Sequence, residues 1–229
     1  MEKLGTEYGG WYVPIDIKLD ENSIVYSAGV GEDISFDLLI SNKYNSNIIL
    51  IDPTQKAKKH FTEVISYYKN KIPFTGNIQK DYYEKIKNLN PNLEKITYLD
   101  IGLWNKCDKL KFYRQHNPSY VSQSLIEGMF GLNYDIVIVD TIKNIMTKLN
   151  HDKIDFLKLD IEGSEINVLD QMFNDNIYPK YLCVEFDLML KNKDNYSLSQ
   201  KLISKIVNDF NYKILINDKL NITFIREEI

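Results

Sequence analysis

Several residue types that mark particular protein classes are scarce in this sequence. Its 229 residues include two cysteines, Cys107 and Cys183, and three histidines. Two distant cysteines are too few for a disulfide framework or a zinc site, so we expect reduced thiols in a cytoplasmic protein. No apolar run approaches the roughly 18 residues of a membrane span. The first residues also lack the basic and apolar layout of a signal peptide, so we expect none.

An excess of positive charge is also missing. The chain has 28 basic and 32 acidic residues, for a net charge of −4. Broad electrostatic attraction to nucleic acid is therefore not expected, and a small-molecule partner is favoured. A homo-oligomer stays open, because aromatic residues such as Trp11 and Tyr12 could pack on a partner or cover a site.

Apolar runs alternate with helical patterns along the chain. Runs typical of strands cover residues 23–29, 48–52, 96–101, 156–161, 181–186, 212–217 and 222–226. Helical patterns cover residues 33–44, 55–70, 80–88, 141–149, 164–174 and 197–210. The alternation predicts an α/β, Rossmann-like fold, with a seven-stranded, mostly parallel sheet and helices on both faces. The short connection "NDKLN" predicts a C-terminal antiparallel hairpin.

The length fits a single domain over residues 1–229. Two segments depart from the alternation within it. Residues 1–22 are rich in aromatics, and we interpret them as an N-terminal extension that is either a lid over the site or an edge strand. Residues 103–140 form an irregular insertion, in which "LKFYRQ" and "YDIVIVD" predict extra strands or a flap.

The stretch "VYSAGVGEDISFD" reads as a strand, a glycine turn and the start of a helix. Gly29 and Gly31 allow a sharp turn and a close approach of a ligand to the backbone. A dinucleotide binder would have a third glycine where Ile34 stands, and Glu32 and Asp33 would repel its pyrophosphate. S-adenosylmethionine has no phosphate and carries a sulfonium and an ammonium group. The acidic turn therefore favours this cofactor.

The second predicted strand, "ILIDP", ends in an acid. Asp52 at this place could accept hydrogen bonds from both hydroxyls of a ribose. Pro53 breaks the strand, and Thr54 is suited to cap the next helix. Asp52 does not by itself separate S-adenosylmethionine from a dinucleotide, since both contain ribose, and it could be a simple turn residue.

A second acidic group follows from "FLKLDIEGSE" and "YLCVEFD". Lys158 and Asp160 share one face of their strand, and Asp160 lies at its carboxyl end, where such folds bind ligands. Glu162 follows in a turn that Gly163 permits, and Glu185 ends the next strand at a comparable level. We therefore expect Asp160, Glu162 and Glu185 to converge beside the reacting group.

Three roles are open for these carboxylates. One could be the general base that removes a hydroxyl proton, or the group could hold substrate hydroxyls in line. They could also bind Mg²⁺, which we do not favour because no histidine-rich metal spacing is present. Lys158 could contact substrate, or pair with Asp160 or Glu185 as a buried ion pair. Glu165 is predicted to be solvated.

Three motifs together resemble the FkbM-type methyltransferases: "VYSAGVGEDISFD", "LIDPT" and "FLKLDIEGSEINVLDQM". The resemblance covers roughly residues 8–190 and implies the class I S-adenosylmethionine-dependent fold. It also implies methylation of hydroxyl groups on sugars, polyketides and related metabolites, often in surface polysaccharide synthesis. Class I enzymes often have an acid where Ser27 stands, so Glu32 or Asp33 would take over contact with the methionine ammonium.

The middle of the chain supplies further candidates. The resemblance implies that Gly102, Leu103 and Trp104 lie against the adenine ring, although Trp104 could equally belong to the core.

The loop that follows the predicted strand "LKFYRQ" is polar. In it, His116 could be a base, Arg114 could clamp the phosphate of a nucleotide-linked sugar, and Ser122 and Ser124 could bind a polar substrate. His60 and His151 are predicted to lie on the surface.

Together these features predict a methyltransferase that uses S-adenosylmethionine, with a sugar or another polyhydroxylated metabolite as its O-methyl acceptor. Gly29, Gly31, Asp33, Asp52 and the end of the third strand would bind the cofactor. Two alternatives remain: a methyltransferase-like binding module without catalysis, and a nicotinamide-dependent oxidoreductase.

Overall fold

The predicted strands and helices are present in the structure, a computed structural model that describes residues 1–73, 81–117 and 120–227. The strands are β1 (Glu2–Leu4), β2 (Trp11–Val13), β3 (Ile24–Ala28), β4 (Asn47–Ile51), β5 (Ile96–Leu99), β6 (Gly102–Leu103), β7 (Asp108–Arg114), β8 (Gln123–Ser124), β9 (Tyr134–Asp140), β10 (Phe156–Leu159), β11 (Tyr181–Glu185), β12 (Tyr212–Asp218) and β13 (Asn221–Arg226). The helices are α1 (Ser35–Tyr44), α2 (Gln55–Asn70), α3 (Tyr82–Ile86), α4 (Ile142–Leu149), α5 (Glu165–Asn174) and α6 (Lys193–Asn208). The predicted helix 80–88 begins at a position outside the described residues.

The main sheet has seven strands in the order β12-β13-β11-β10-β3-β4-β5. The pairs β10–β11, β10–β3, β3–β4 and β4–β5 are parallel, whereas β13 is antiparallel to both of its neighbours. The mostly parallel sheet with a C-terminal antiparallel hairpin is therefore confirmed. The strand order reverses beside β3, which places a crevice at the carboxyl ends of β3 and β10.

Helices cover both faces of this sheet because its strands are apolar on both sides. Ile48 and Leu50 of β4 pack into one core cluster, and their neighbours Ile49 and Ile51 pack into the other. The first cluster includes residues of α1, α2 and α3, and the second includes residues of α4, α5 and α6. The central strands are thereby held rigidly beneath the crevice.

Two smaller sheets flank the crevice. β1 and β2 form an antiparallel hairpin at the N-terminus, and Thr223 donates a 2.9 Å hydrogen bond to the carbonyl of Tyr12 in this hairpin. The strands β6, β9, β7 and β8 form a four-stranded sheet within residues 103–140 and its immediate border. Whether residues 1–22 move as a lid stays a prediction.

Three residues predicted to be solvent-exposed are not. Glu165 is 1% exposed, because its carboxylate accepts hydrogen bonds from the backbone at the start of α5. His60 is 3% exposed and lies 2.8 Å from the Tyr82 hydroxyl, so burial lowers its pKa to about 4. His151 is half-buried, with Nδ1 2.9 Å from the Tyr26 hydroxyl. The surface predictions for all three were wrong.

Candidate active site

A cavity of about 540 Å³ lies at the carboxyl ends of β3, β4, β10 and β11. The glycine turn after β3 lines one end, and the acidic residues that follow β10 and β11 line the other. Its size is within the range of sites for small molecules, and its position is the one expected of a ligand site in an open parallel sheet.

The glycine turn has a backbone that only glycine adopts without strain. Gly29 and Gly31 have φ angles of +72° and +52°. A Cβ atom on Gly29 would lie 1.6 Å from the carbonyl oxygen of Asp160, so β3 and β10 approach each other too closely there for any side chain. At Gly31 the nearest atom to such a Cβ is Val121 Cγ1 at 3.4 Å, which leaves this part of the turn open to the cavity.

Asp52 is fixed at the end of β4 by three hydrogen bonds. Its Oδ2 accepts one of 2.9 Å from the Gly31 amide, and its Oδ1 accepts bonds of 2.8 and 2.7 Å from the Thr54 amide and hydroxyl. Thr54 caps α2 as predicted, since its Oγ1 accepts from the Ala57 amide at 3.2 Å. Burial raises the pKa of Asp52. The carboxylate thus stands preoriented between the glycine turn and α2.

Asp33 joins the glycine turn to the N-terminal hairpin. Its Oδ2 accepts a 2.5 Å hydrogen bond from Thr6 Oγ1, and its Oδ1 accepts one of 2.9 Å from the Ser35 amide. Asp33 is buried, while its neighbour Glu32 is half-buried, and both line the cavity. The turn between β1 and β2 is therefore held against the cavity wall.

Lys158 is buried under the glycine turn. Its Nζ donates a 3.1 Å hydrogen bond to the Gly29 carbonyl and lies 3.8 Å from Asp160 Oδ2 and 5.8 Å from the Trp11 ring centre. Lys158 and Asp160 therefore form an ion pair, one of the alternatives that the sequence indicated for Lys158. The Lys158 charge also opposes the effect of burial, which raises the pKa of Asp37 to about 6. Lys158 thereby stabilises the glycine turn, and its positive charge partly offsets the negative charge of the nearby carboxylates.

Asp160, Glu162 and Glu185 all line the cavity, together with Asp187, which sequence reasoning missed. Asp187 lies just past the end of β11, at the start of a short 3-10 helix, and its nearness to Glu185 in the sequence is the signal that could have identified it. Four carboxyl groups therefore meet where β10 and β11 end.

Burial, together with the proximity of other carboxyl groups, raises the pKa values of Glu162, Glu185 and Asp187. Burial, followed by the nearby charges of Asp160 and Asp187, raises the pKa of Glu185 to about 9. Burial likewise raises the pKa of Asp187 to about 9. For Glu162, burial raises the pKa to about 7, opposed by a hydrogen bond from Ser122. Near neutral pH, Glu162 is therefore poised between its two protonation states.

Glu162 occupies a strained turn that Glu165 holds. Glu162 has φ +54° and Gly163 has φ +100°. Glu165 Oε1 accepts hydrogen bonds of 3.2 and 3.0 Å from the amides of Ile161 and Gly163, one on each side of Glu162. Ser124 Oγ donates a 2.5 Å bond to the Glu162 carbonyl. These contacts keep Glu162 at the cavity in a conformation that a non-glycine residue adopts only under constraint.

An apolar wall lies beside Asp52. It contains Pro53, Gly102, Leu103 and Phe112. Phe112 is a residue of β7 that sequence reasoning missed. Trp104 lies outside this wall and is only half-buried, so the structure does not place it against a ligand ring as the sequence suggested.

Ser122 lines the cavity, whereas Arg114 and His116 do not. Arg114 is exposed and pairs with Asp135 on the paired strands β7 and β9, with Nε 2.6 Å from Oδ2. His116 is exposed beside Gly131. The structure therefore contradicts the expectation that Arg114 clamps a substrate phosphate and that His116 acts at the reacting atoms.

The turn of the N-terminal hairpin supplies Tyr8 and Gly9 to the cavity. Tyr8 exposes 69% of its surface and is close enough to the acidic end for the carboxyl groups to affect it. There, loss of solvent and then the charges of Asp160, Glu162 and Glu185 raise its pKa. Its hydroxyl is therefore a hydrogen-bond donor at all ordinary pH values.

Within residues 1–73, 81–117 and 120–227, no group of three or more His, Cys, Asp or Glu side chains is arranged to hold a metal ion. The helices described there include none that is long and apolar enough to cross a membrane. Cys107 and Cys183 are unpaired thiols.

The strand order with one antiparallel strand, the glycine turn after β3 and the acid after β4 define the class I methyltransferase fold. The chain belongs to the FkbM methyltransferases, because the family model described as "Methyltransferase FkbM domain" matches residues 18–213. It is an S-adenosylmethionine-dependent methyltransferase. The predicted family and fold are thus confirmed.

A solved structure of a fibrillarin/Nop5p complex is similar over 92% of this chain and 76% of that chain, with 11% identity and a TM-score of 0.45. No curated protein matches the chain in sequence.

Proposed function

We propose that this enzyme transfers the methyl group of S-adenosylmethionine to a hydroxyl oxygen of a sugar or another polyhydroxylated small molecule. The observation that carries the proposal is a single cavity that joins the glycine turn to carboxyl groups able to accept a proton near neutral pH. Cofactor, acceptor and base would meet in this space.

The cofactor end suits a cationic nucleoside. Gly29 and Gly31 bring the backbone close to the ligand, and Asp52 would accept the ribose hydroxyls. The apolar wall of Pro53, Leu103 and Phe112 is suited to the adenine ring. Glu32 and Asp33 are placed to attract the methionine ammonium, with Glu32 the more exposed of the two.

The acceptor end suits a hydroxyl nucleophile. When bound, S-adenosylmethionine supplies the methyl group: a C–O bond forms as the C–S bond breaks, leaving S-adenosylhomocysteine and the hydroxyl proton. Glu162 is the residue to take this proton, because its pKa of about 7 matches the demand on a general base. Asp160 and Glu185 would orient the acceptor by accepting or donating hydrogen bonds.

Two other functions fit less well. A nicotinamide-dependent oxidoreductase would have to hold a pyrophosphate against Glu32 and Asp33, which line the same end of the cavity. A binding module without catalysis would have no use for the strain at Glu162 or the burial of Glu165, which both cost folding free energy.

The test measures cofactor binding and methyl transfer separately. Isothermal titration should give micromolar binding of S-adenosylmethionine and none of NAD. Transfer of a labelled methyl group to a panel of sugars should fall by about 10²–10⁴ in Glu162→Gln, with cofactor binding retained. The matched control is Glu127→Gln, an exposed acid outside the cavity, which should behave as wild type. Unchanged turnover in Glu162→Gln would remove Glu162 as the base, and NAD binding would contradict the class of reaction.

A further inference from the structure

The charge of the cavity lining is strongly unbalanced. Among the described residues that line it, Lys158 is the only cationic side chain. Its Nζ is already engaged by the Gly29 carbonyl and by Asp160. Against it stand seven carboxyl groups, those of Glu32, Asp33, Asp52, Asp160, Glu162, Glu185 and Asp187.

Three polar side chains around the acidic end each have an oxygen without a hydrogen-bond partner. Among the described residues, Gln123 Oε1, Ser164 Oγ and Asn221 Oδ1 are buried oxygens with no partner, and all three residues line the cavity. Ser164 is only 1% exposed. A buried oxygen left without a donor costs about 1–3 kcal/mol. The two amide oxygens need a donor, whereas the Ser164 hydroxyl can donate or accept, so a ligand with hydroxyl or ammonium groups would satisfy all three.

These three oxygens surround the carboxyl groups. Asn221 on β13 pairs in register with Glu185 on β11, and Ser164 stands two residues after Glu162. Gln123 neighbours Ser122, whose side chain hydrogen-bonds Glu162. The unsatisfied acceptors therefore mark the acceptor end of the cavity and not its cofactor end.

The two cations nearest to this end do not line the cavity. Arg114 pairs with Asp135, and Lys191, whose charge partly opposes the rise in the pKa of Glu162, donates a 2.8 Å hydrogen bond to the Met129 carbonyl. A phosphate at the acceptor end would thus find no cationic side chain of the lining free to pair with it, and its charge would oppose ionisation of the carboxyl groups there. This arrangement opposes a nucleotide-linked sugar as the acceptor.

We propose that the acceptor is a polyhydroxylated ring that carries an ammonium group, an amino sugar in the broad sense, and no phosphate. This inference rests on the proposed methyl transfer and names the substrate class of the same site. Hydroxyls and an ammonium group would donate hydrogen bonds to the amide oxygens and carboxyl groups, and a hydroxyl could also accept one from Ser164. The ammonium charge would stabilise the ionised form of the carboxyl groups.

Proton release provides an independent signature. The pKa values of Glu185 and Asp187, both about 9, mean that these groups hold protons at neutral pH. An ammonium group bound between them favours their charged forms, so their pKa values fall and protons leave. A neutral sugar would produce no comparable release.

The experiment compares three forms of one ring. Glucosamine, glucose and glucose 6-phosphate are titrated into the enzyme saturated with S-adenosylhomocysteine, and the series is repeated with galactosamine, galactose and galactose 6-phosphate. In at least one series, we expect the amino form to bind about tenfold more tightly than the neutral form, and the phosphate form to bind more weakly than both. Titration in two buffers with different ionisation enthalpies should show proton release for the amino form alone.

A variant links the preference to the cluster. Glu185→Gln cannot lose a proton, so it should release fewer protons on binding the amino form, whereas Glu127→Gln should match wild type. Tighter binding of a neutral or phosphate form in both series, no binding of any form, or unchanged proton release in Glu185→Gln would overturn the inference. Failure to bind S-adenosylmethionine would instead overturn the proposed function. Methylation of glucose without glucosamine would leave that function standing.

Discussion

The two ends of the cavity are built in opposite ways. At the cofactor end, the carboxylates of Asp33 and Asp52 each accept hydrogen bonds on both oxygens from neighbouring protein groups. At the acceptor end, burial and neighbouring carboxyl groups make Glu185 and Asp187 retain protons, and nearby oxygens remain unpaired. One end is complete before any ligand arrives, and the other end is completed by its ligand. This contrast fits a shared cofactor and a variable acceptor.

The largest expected effect comes from breaking the complete end. Gly29→Ala places a Cβ atom 1.6 Å from the Asp160 carbonyl, so β3 and β10 must separate where the two ends meet. We expect the loss of S-adenosylmethionine binding by more than about 100-fold and a drop in the free energy of unfolding of about 3 kcal/mol or more. Titration and thermal unfolding measure the two effects.

The matched control for this variant is Gly128→Ala. Gly128 also has a positive φ, +79°, but no atom lies within 4 Å of the new Cβ position. It therefore has the backbone strain without the clash, and we expect a loss of only about 1 kcal/mol with cofactor binding intact. Equal losses in the two variants would show that the close approach of Gly29 to Asp160 is not what forms the turn.

The carboxyl groups at the acceptor end should make the free energy of unfolding depend on pH. Because burial raises the pKa of Glu185 to about 9 in the folded enzyme, this group binds a proton that the unfolded chain releases above about pH 4.5. Its stabilising contribution is full below that unfolded value and is lost as the pH rises through about 9. The free energy of unfolding of the ligand-free enzyme should therefore fall between pH 5 and 9, by up to about 1.4 kcal/mol per unit for each such group.

Glu185→Gln isolates this contribution. Glutamine cannot ionise, so the curve of unfolding free energy against pH should be flatter for this variant than for wild type in chemical denaturation experiments. Stability that rises over the same interval, in both proteins, would mean that the carboxyl groups are charged and well solvated in the folded enzyme.

The smallest expected effect concerns the link between the hairpin and the cofactor end. Thr6→Val removes the hydroxyl that donates to Asp33 and accepts from the Gly9 amide at 2.9 Å. We expect a loss of about 1–2 kcal/mol in unfolding free energy and a modest rise in KM for the cofactor. A larger rise in KM for the acceptor than for the cofactor would mean that the hairpin turn belongs to the acceptor end of the cavity.

Sequence reasoning reached the features that local pattern determines. Gly29 and Asp52 each follow a strand directly and Thr54 directly precedes α2, so the order of strand, turn and helix is enough to place them at the cavity. Arg114, His116 and Trp104 could not be placed in this way. Their positions depend on the pairing of β6 and β7 with β9 in a separate sheet, which no periodicity in the sequence specifies.

In the acidic motif, the burial of Glu165 was not predicted, for a different reason. Asp160, Glu162 and Glu185 were expected at the site, but Glu165 was expected in solvent because a charged residue on a helix is usually exposed. Its burial follows from the two backbone amides that flank Glu162, a local requirement that becomes visible only when the φ angle of Glu162 is known.

The N-terminal hairpin contributes to the cavity although it lies outside the stretch that matches the family model. The family match begins at residue 18, yet Tyr8 and Gly9 from the preceding hairpin form part of the cavity wall. The residues that match the family model and a part of the cavity wall therefore belong to separate stretches of the chain. A substitution at Tyr8 or Gly9 would reshape that wall without changing any residue of the matched stretch.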